Sequence, residues 1–466
     1  YGLTVYTCSA LVLAAGGPGE LYRDSVFPNG CFGTLGLALE AGLELTNITE
    51  SQFGIGTRRE GFPWNLSGTY VQVIPHIYSV DAKGTEHNFL SGFYRTTQEM
   101  ASNIFRKGYQ WPFHASRMLD FQSSLIDLAI FREGQAGRRV FMDFKRNPLA
   151  IDQDFSLDRL DEDVASYLRN AGADHALPID RLRHMTPLAI ELYKRYKVDI
   201  THHPLEFAVN HQHMNGGIAV ATWGRSNVPG IYAVGEAAGT HGATRPGGSA
   251  LNAVQVLGTR VAEQIGAARA PVYAGDVMQA AADAVRALDA ILAAESPLTV
   301  KGVRAEVQAR MSDKAGILCT GPEVATALVD ARRLNANINQ NGITVSRPPE
   351  AARTVQWQQM ALATEAVLCA LDTYISDGGG SRGARASCDP QGDALPDTVQ
   401  GPIVDARFRA ERDADKVQQL IVTYDGVRMD VSSRDNRRHD GARSFFERDW
   451  PAWLTGDIFQ SVGKSA

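Results

Sequence analysis

Residues 230–251 read GIYAVGEAAGTHGATRPGGSAL. A short β-rich apolar run, Ile231 to Val234, stops on Gly235 and Glu236, and from Ala250 a helical apolar pattern runs on through NAVQVLGTRVAEQI. Strand, glycine turn and helix in that order make a βα unit. A companion strand opens the chain: Val5 to Ala14 is a continuous apolar run that ends on Gly16-Gly17-Pro18-Gly19. Buried parallel strands read this way. In a doubly wound sheet their carboxyl ends form the ligand-binding edge. Gly16, Gly17 and Gly235 there let the backbone approach a bound group without a Cβ in the way.

A strand of such a sheet so early in the chain predicts earlier strands. The nucleotide fingerprint GxGxxG is absent, so the expectation is that the N-terminal part was lost or lies on another polypeptide. Residues 33–42, rich in small side chains, predict a helix stopped by Gly42. Between 53 and 200 the pattern changes. Alternation over 69–74 predicts a half-buried strand, 140–144 a second strand, and 156–170 and 186–196 helices. The sheet pattern resumes near Gly216, with a strand over 217–221. Asp276 is an N-cap for a helix over 277–294, and Thr320-Gly321-Pro322-Glu323 is a capping box opening a helix to about 335. Trp357, Met360, Thr364, Val367, Leu368 and Leu371 stripe a third helix. The predicted fold is α/β plus α: an incomplete doubly wound domain (1–52 and 201–268), an inserted α+β domain (53–200), a helical domain (269–385) and a C-terminal extension (386–466).

Composition narrows the function. Of 466 residues, 44% are hydrophobic and 21% charged, an ordinary globular balance that excludes disorder as the main architecture. The formal charge is −6 with no basic block, which argues against nucleic acid and anionic membrane surfaces as partners. No apolar stretch is long enough to span a bilayer. The five cysteines, Cys8, Cys31, Cys319, Cys369 and Cys388, form no CxxC or Cys/His cluster, so no metal site is expected, and their scarcity suits a cytoplasmic location.

Several segments, in order, resemble the flavoprotein subunit family of succinate dehydrogenase, fumarate reductase, L-aspartate oxidase and adenylylsulfate reductase. They are LVLAAGGPGELY, Glu40-Ala41-Gly42, Gly216-Gly217-Ile218, the 230–251 block, Met311-Ser312-Asp313-Lys314-Ala315-Gly316-Ile317, and Ser381-Arg382-Gly383-Ala384-Arg385. The resemblance implies FAD in the sheet domain, an inserted capping domain over it, a helical domain, and hydride transfer between a small substrate and flavin N5. It implies cofactor contacts from Gly16, Gly17, Gly235, Glu236, Gly247, Gly248, Ser249, Ala250 and Leu251, with Glu236 accepting from ribityl hydroxyls. It implies that Arg245 clamps a substrate carboxylate, a task suited to a planar guanidinium, with His241 opening the same HGATR motif. A second chain carrying the N-terminal FAD region, or an electron-transfer subunit, is an expected partner. The aromatic tail around Trp450 and Trp453 is expected either to dock a partner or to pack on the helical domain.

The match also fails in places. Where the family has His-Tyr-Thr-Met before Gly-Gly, this chain has His211-Gln212-His213-Met214-Asn215. A gapless alignment puts Gln212 at the substrate histidine, and a one-residue shift would restore His211 or His213. Where the dicarboxylate enzymes carry Gln-Phe-His-Pro-Thr, this chain has Gln52-Phe53-Gly54-Ile55-Gly56, and the family's Arg-Gly-Glu-Gly-Gly is replaced by Gly68-Thr69-Tyr70-Val71-Gln72. Arg58 and Arg59 could stand in for the lost arginine or be surface charges. His114, Arg117 and Asp120 could line another pocket or belong to an amphipathic face. The expected enzyme is an FAD-dependent oxidoreductase whose substrate is not succinate, fumarate or aspartate. The competing expectation is a non-catalytic or split subunit.

Overall fold

A computed structural model describes residues 3–58, 68–118, 121–245, 247–268, 275–383, 385–395, 397–398, 401–402, 407–436 and 445–457. Arg59, Asp120, Pro246 and Ala384 of the motifs above lie outside the described residues. The first strand, β1 (Leu11–Leu13), leads through the Gly16–Gly17 turn to a six-residue helix, Leu35–Glu40, and then β2 (Leu45–Thr46) and β3 (Ser51–Thr57). β4 (His76–Val80), β5 (Glu86–His87), β6 (Arg139–Asp143) and the long β7 (Leu205–Met214) follow, and β8 (Gly217–Ile218) and β9 (Ile231–Ala233) lead into the helix Ser249–Ala267.

β1 and β9 pair in parallel, with Leu11, Val12 and Leu13 opposite Ile231, Tyr232 and Ala233. The two glycine turns predicted from the sequence therefore lie side by side. The opening strand is shorter than the apolar run that signalled it, because β9 offers only three residues before its turn. It is also not buried on both faces: Leu11 and Val12 are 45% and 40% exposed. The 217–221 stretch forms only the two residues of β8, which pair antiparallel with β2 in another sheet. That sheet is completed by the hairpin Gln418–Tyr424 and Met429–Asp435, whose Ile421 and Val422 face Thr46 and Leu45.

The segment between these halves is built on a five-stranded antiparallel sheet, ordered β3-β7-β6-β4-β5. Residues 69–74 are not one of its strands. Thr69–Gln72 is a single helical turn, with Tyr70, Val71 and Gln72 all buried. Gly68 and Gly108 bring this turn against the end of the helix Thr97–Lys107 so closely that a Cβ on Gly68 would stand on the Gly108 carbonyl. With Tyr70 to Ile74 all buried, alternation no longer marks an exposed face.

Four long helices, Val277–Leu292, Val300–Lys314, Gly321–Asn341 and Ala351–Ser376, make the helical part. Asp276 caps the first by accepting from the Gln279 N–H, and Thr320 caps the third by accepting from Glu323. The third runs six residues past its predicted end, to Gly342, whose positive φ closes it. Its core neighbour, Ala351–Ser376, is buried along nearly its whole length. Arg385 bolts this part to the site: its guanidinium donates to the carbonyls of Thr49 (2.7 Å) and Gly316 (2.8 Å) and to Tyr22 Oη (3.0 Å). No helix among the described residues is long and apolar enough to cross a membrane.

Candidate active site

The site assembles where three turns meet: after β1, after β9, and at the end of β7. Gly17 lies against the carboxylate that follows β9, so tightly that a Cβ there would stand 2.2 Å from Glu236 Oε1. Gly33, with φ near +64°, approaches the Gly16–Gly17 backbone from the other side. Glu236 Oε1 accepts the backbone N–H of Met214 at 2.7 Å, which ties the β9 turn to the end of β7.

β7 carries a bulge that separates the two histidines of this segment. Its partner β3 sets Gln52 opposite His213 and Phe53 opposite His211, so Gln212 is the extra residue. A bulge turns the residues on either side of it to opposite faces. His211 is fully buried with its ring against Tyr22, Phe27 and Phe53, centroids 4.6, 5.7 and 5.7 Å away. His213 faces the other way. Its Nδ1 is 3.3 Å from Glu236 Oε1, and its Nε2 is 3.2 Å from Nδ1 of His241. Gln212 accepts from the Trp111 indole N–H at 2.5 Å.

Arg245 sits on the same face. Its Nε donates to Gln52 Oε1 at 2.9 Å, and Gln52 Nε2 donates back to the Arg245 carbonyl at 2.8 Å. Among the described residues its Nη1 and Nη2 make no hydrogen bond. Asn215 holds the same loop by donating to the Ala243 carbonyl at 2.9 Å. Burial lowers the Arg245 pKa, partly offset by Glu236, and a guanidinium remains charged under such a shift. Burial, then His213 and Arg245, push the His241 imidazole down to about 4, so it is neutral at ordinary pH.

The structure thus gathers Gly16, Gly17, Gly235, Glu236, His213, His241 and Arg245, and sets His211 in a separate aromatic box. Gln52 and Asn215, which orient Arg245 and its loop, were not singled out as site residues by sequence. Ser249, Ala250 and Leu251 begin the helix after Gly248, and Leu251 is 73% exposed. Arg58 is paired with Asp24 and Glu206 at 3.4 Å each, on the rim of a cavity of about 330 Å³ that also reaches His211. His114 and Thr244 line a smaller cavity of about 250 Å³ beside Gly383. The described part of the tail meets the helix Ser249–Ala267: Trp453 donates to Glu263 at 3.1 Å and stacks on Trp450.

An FAD-binding domain family model matches residues 3–251, more than half of the chain. One subunit of the fumarate reductase (CoM/CoB) of Methanothermobacter marburgensis is 45% identical over 64 residues, which is 14% of this chain and 12% of that one. The chain belongs to the fumarate reductase and L-aspartate oxidase family of FAD-binding flavoproteins. L-aspartate oxidase 2 of Ralstonia nicotianae is 23% identical over 269 residues, 56% of this chain and 40% of that one. The matched stretches thus span well under two thirds of these relatives. The fold is that of E. coli quinol fumarate reductase FrdA, with a TM-score of 0.64 at 18% identity over 94% of this chain and 67% of that one.

The residues present fit the flavin end of such a cofactor. A Cβ on Gly16, Gly247 or Gly248 would meet nothing within 4 Å, so these turns offer open backbone to a planar group. Gly16, Gly235 and Gly248 all hold the positive φ that favours glycine. Oε2 of Glu236 makes no hydrogen bond among the described residues and is available to a hydroxyl donor.

Proposed function

We propose that this chain carries the substrate end of an FAD-dependent oxidoreductase acting on a small carboxylate other than succinate, fumarate or aspartate. The observation that carries the reading is the open end of Arg245, which stands beside the Glu236–His213–His241 cluster at the glycine turns. FAD, when bound, supplies the hydride acceptor or donor at its N5. Arg245 binds and orients the carboxylate with two parallel hydrogen bonds. Gln52 fixes the guanidinium plane, so less ordering is left to the moment of binding.

The departures from the dicarboxylate enzymes support the restriction on substrate. Gly54 and Ile55 stand where those enzymes have His-Pro, and the space beside Gly54 is filled by the Gln212 amide. Arg58 is engaged by two carboxylates, so among the described residues it is not a free cation for proton delivery.

A second reading, a split or scaffold subunit, has its own support. Leu11 and Val12 on β1 and Leu251, Val254 and Val256 on the helix after β9 are exposed apolar residues flanking the turns. Such faces are covered in a doubly wound sheet, so another polypeptide segment would complete the cofactor site. An electron-transfer subunit is a further proposed partner.

The test is the visible spectrum and native mass of the purified protein, followed by flavin bleaching with a panel of carboxylates. A flavin spectrum with bleaching by a carboxylate and no turnover of fumarate is expected. Fumarate reduction at ordinary enzyme rates overturns the substrate reading. Absence of flavin at the mass of this chain alone overturns catalysis by this chain and favours the second reading.

A further inference from the structure

A row of contacts at the site orders its polar atoms from Glu236 to His241. Glu236 accepts from Met214 N–H and faces His213 Nδ1 with the same oxygen. A carboxylate oxygen that already accepts from a backbone N–H favours a ring N–H over a ring lone pair across 3.3 Å, which assigns His213 its hydrogen on Nδ1 and a lone pair at Nε2. His241 Nδ1, 3.2 Å from that lone pair, is then the donor of the pair. The two rings meet edge to face, centroids 4.7 Å apart, as a directed contact requires. The remaining ring nitrogen, His241 Nε2, is therefore a bare acceptor. It is buried and has no hydrogen-bond partner among the described residues, on a side chain only 9% exposed.

A buried acceptor without a donor is unfavourable, which points to a ligand that brings one. Four residues on, Arg245 asks for an anion with two oxygens. We propose that Glu236, His213 and His241 form a proton relay ending at His241 Nε2, and that the ligand is a carboxylate with a hydroxyl on the adjacent carbon, its carboxylate on Arg245 and its hydroxyl donating to Nε2. The inference rests on the reading of this site as that of a flavin oxidoreductase.

The chemistry balances. The substrate O–H bond breaks and its proton goes to His241 Nε2. With FAD bound, the C–H bond on the same carbon would break and its hydrogen would leave with both electrons to the flavin. The C–O bond becomes C=O, so a 2-hydroxy acid ends as a 2-oxo acid. His241 passes its Nδ1 proton to His213 Nε2, and the cation comes to rest beside Glu236, as in any carboxylate–imidazole pair. The charged and titratable groups acting on His241 are His213, Arg245 and Glu236; burial, His213 and Arg245 keep it neutral, its lone pair available, through the neutral range against the opposing pull of Glu236. A 2-amino acid fits less well, since its ammonium would add a second buried cation beside Arg245.

The test uses the full chain labelled with 15N-histidine, without flavin and with FAD added, titrated with lactate and with propionate, which lacks only the hydroxyl. The expected long-range 1H–15N spectrum shows His241 as the Nδ1–H tautomer. Lactate shifts its Nε2 resonance and binds at least ten-fold more tightly than propionate. His241→Phe abolishes that preference, and His213→Phe releases His241 into a mixture of tautomers. Where a variant does not fold, the wild-type spectrum and the lactate-to-propionate ratio still decide. An Nε2–H tautomer in the wild type, or equal affinity for the two acids, overturns the inference. Failure to take up FAD with the tautomer as expected overturns the functional reading alone, because the relay is read in the flavin-free protein.

Discussion

Gln52 and Arg245 bond each other twice, side chain to side chain at 2.9 Å and side chain to backbone at 2.8 Å, across 193 positions of sequence. One amide thus sets both the plane of the guanidinium and the path of its loop. Gln52→Leu keeps the volume and removes both partners. It leaves Arg245 Nε and the Arg245 carbonyl half-buried without partners, a cost of about 1–3 kcal/mol. The larger effect falls on the ligand. Binding of a small carboxylate is expected to weaken about ten-fold, since the guanidinium must be ordered on each encounter. Calorimetric titration checks this; unchanged affinity would mean that Arg245 is held by something else.

Gly17 is predicted to tolerate no side chain. In Gly17→Ala the new methyl falls on the Glu236 carboxylate, so Glu236 must swing away and give up its 2.7 Å bond from Met214. The expected outcome is loss of flavin affinity by at least about ten-fold, equivalent to about 1.4 kcal/mol, with an unchanged far-ultraviolet spectrum. A double-mutant cycle tests the cause. In a Glu236→Ala background the clash is gone, and Gly17→Ala should cost little more. Additive effects would refute the clash.

The parts legible in the sequence were those set by local pattern. Apolar runs ending on glycines located β1 and β9, and cap residues located the helices from Asp276 and Thr320. What escaped depends on pairing between distant segments. Nothing near Gln212 announces a bulge; it exists because β3 pairs Gln52 with His213 and Phe53 with His211. That offset sends His211 into an aromatic box and His213 to His241, a separation of the two histidines that no spacing in the HQHM segment announces. Residues 69–74 misled for a related reason: alternation marks a strand only when one face meets water, and here Tyr70 to Ile74 are all buried. Arg385 looked like a closing motif of the helical domain, and its reach to Thr49 follows only from the tertiary packing.

Acid should destabilise the protein through His241. Its folded-state pKa is about 4, against a usual 6.5, chiefly because burial disfavours the imidazolium. The unfolded chain therefore binds the proton more tightly, and stability present above pH 6.5 is lost as the pH falls towards 4. The most this one group can contribute is about 3 kcal/mol. Urea midpoints of the wild type and His241→Asn, compared at pH 7 and pH 4.5, should converge at the lower pH. A gap between them that stays constant with pH would show that His241 is not held neutral.

Lys107 and Asp127 form an ion pair at 2.6 Å with both side chains fully buried. Burial pulls the lysine pKa down and pushes the aspartate pKa up, each resisted by the other's charge. Neither group can reach water, so the pair is held by its own attraction in a low-dielectric setting, where the desolvation cost rivals the gain. Removing one partner strands the other. Lys107→Met or Asp127→Leu alone should therefore cost about 3–5 kcal/mol. The double variant replaces the pair with apolar volume and should be more stable than either single one. Chemical denaturation of the four proteins gives the coupling directly. Strict additivity would mean that water reaches the pair. A favourable double variant would place the pair's value in fixing the Thr97–Lys107 helix against Ser124–Gln135; the Lys107 ammonium also lies 5.6 Å from the centre of the Trp111 ring, whose indole donates to Gln212.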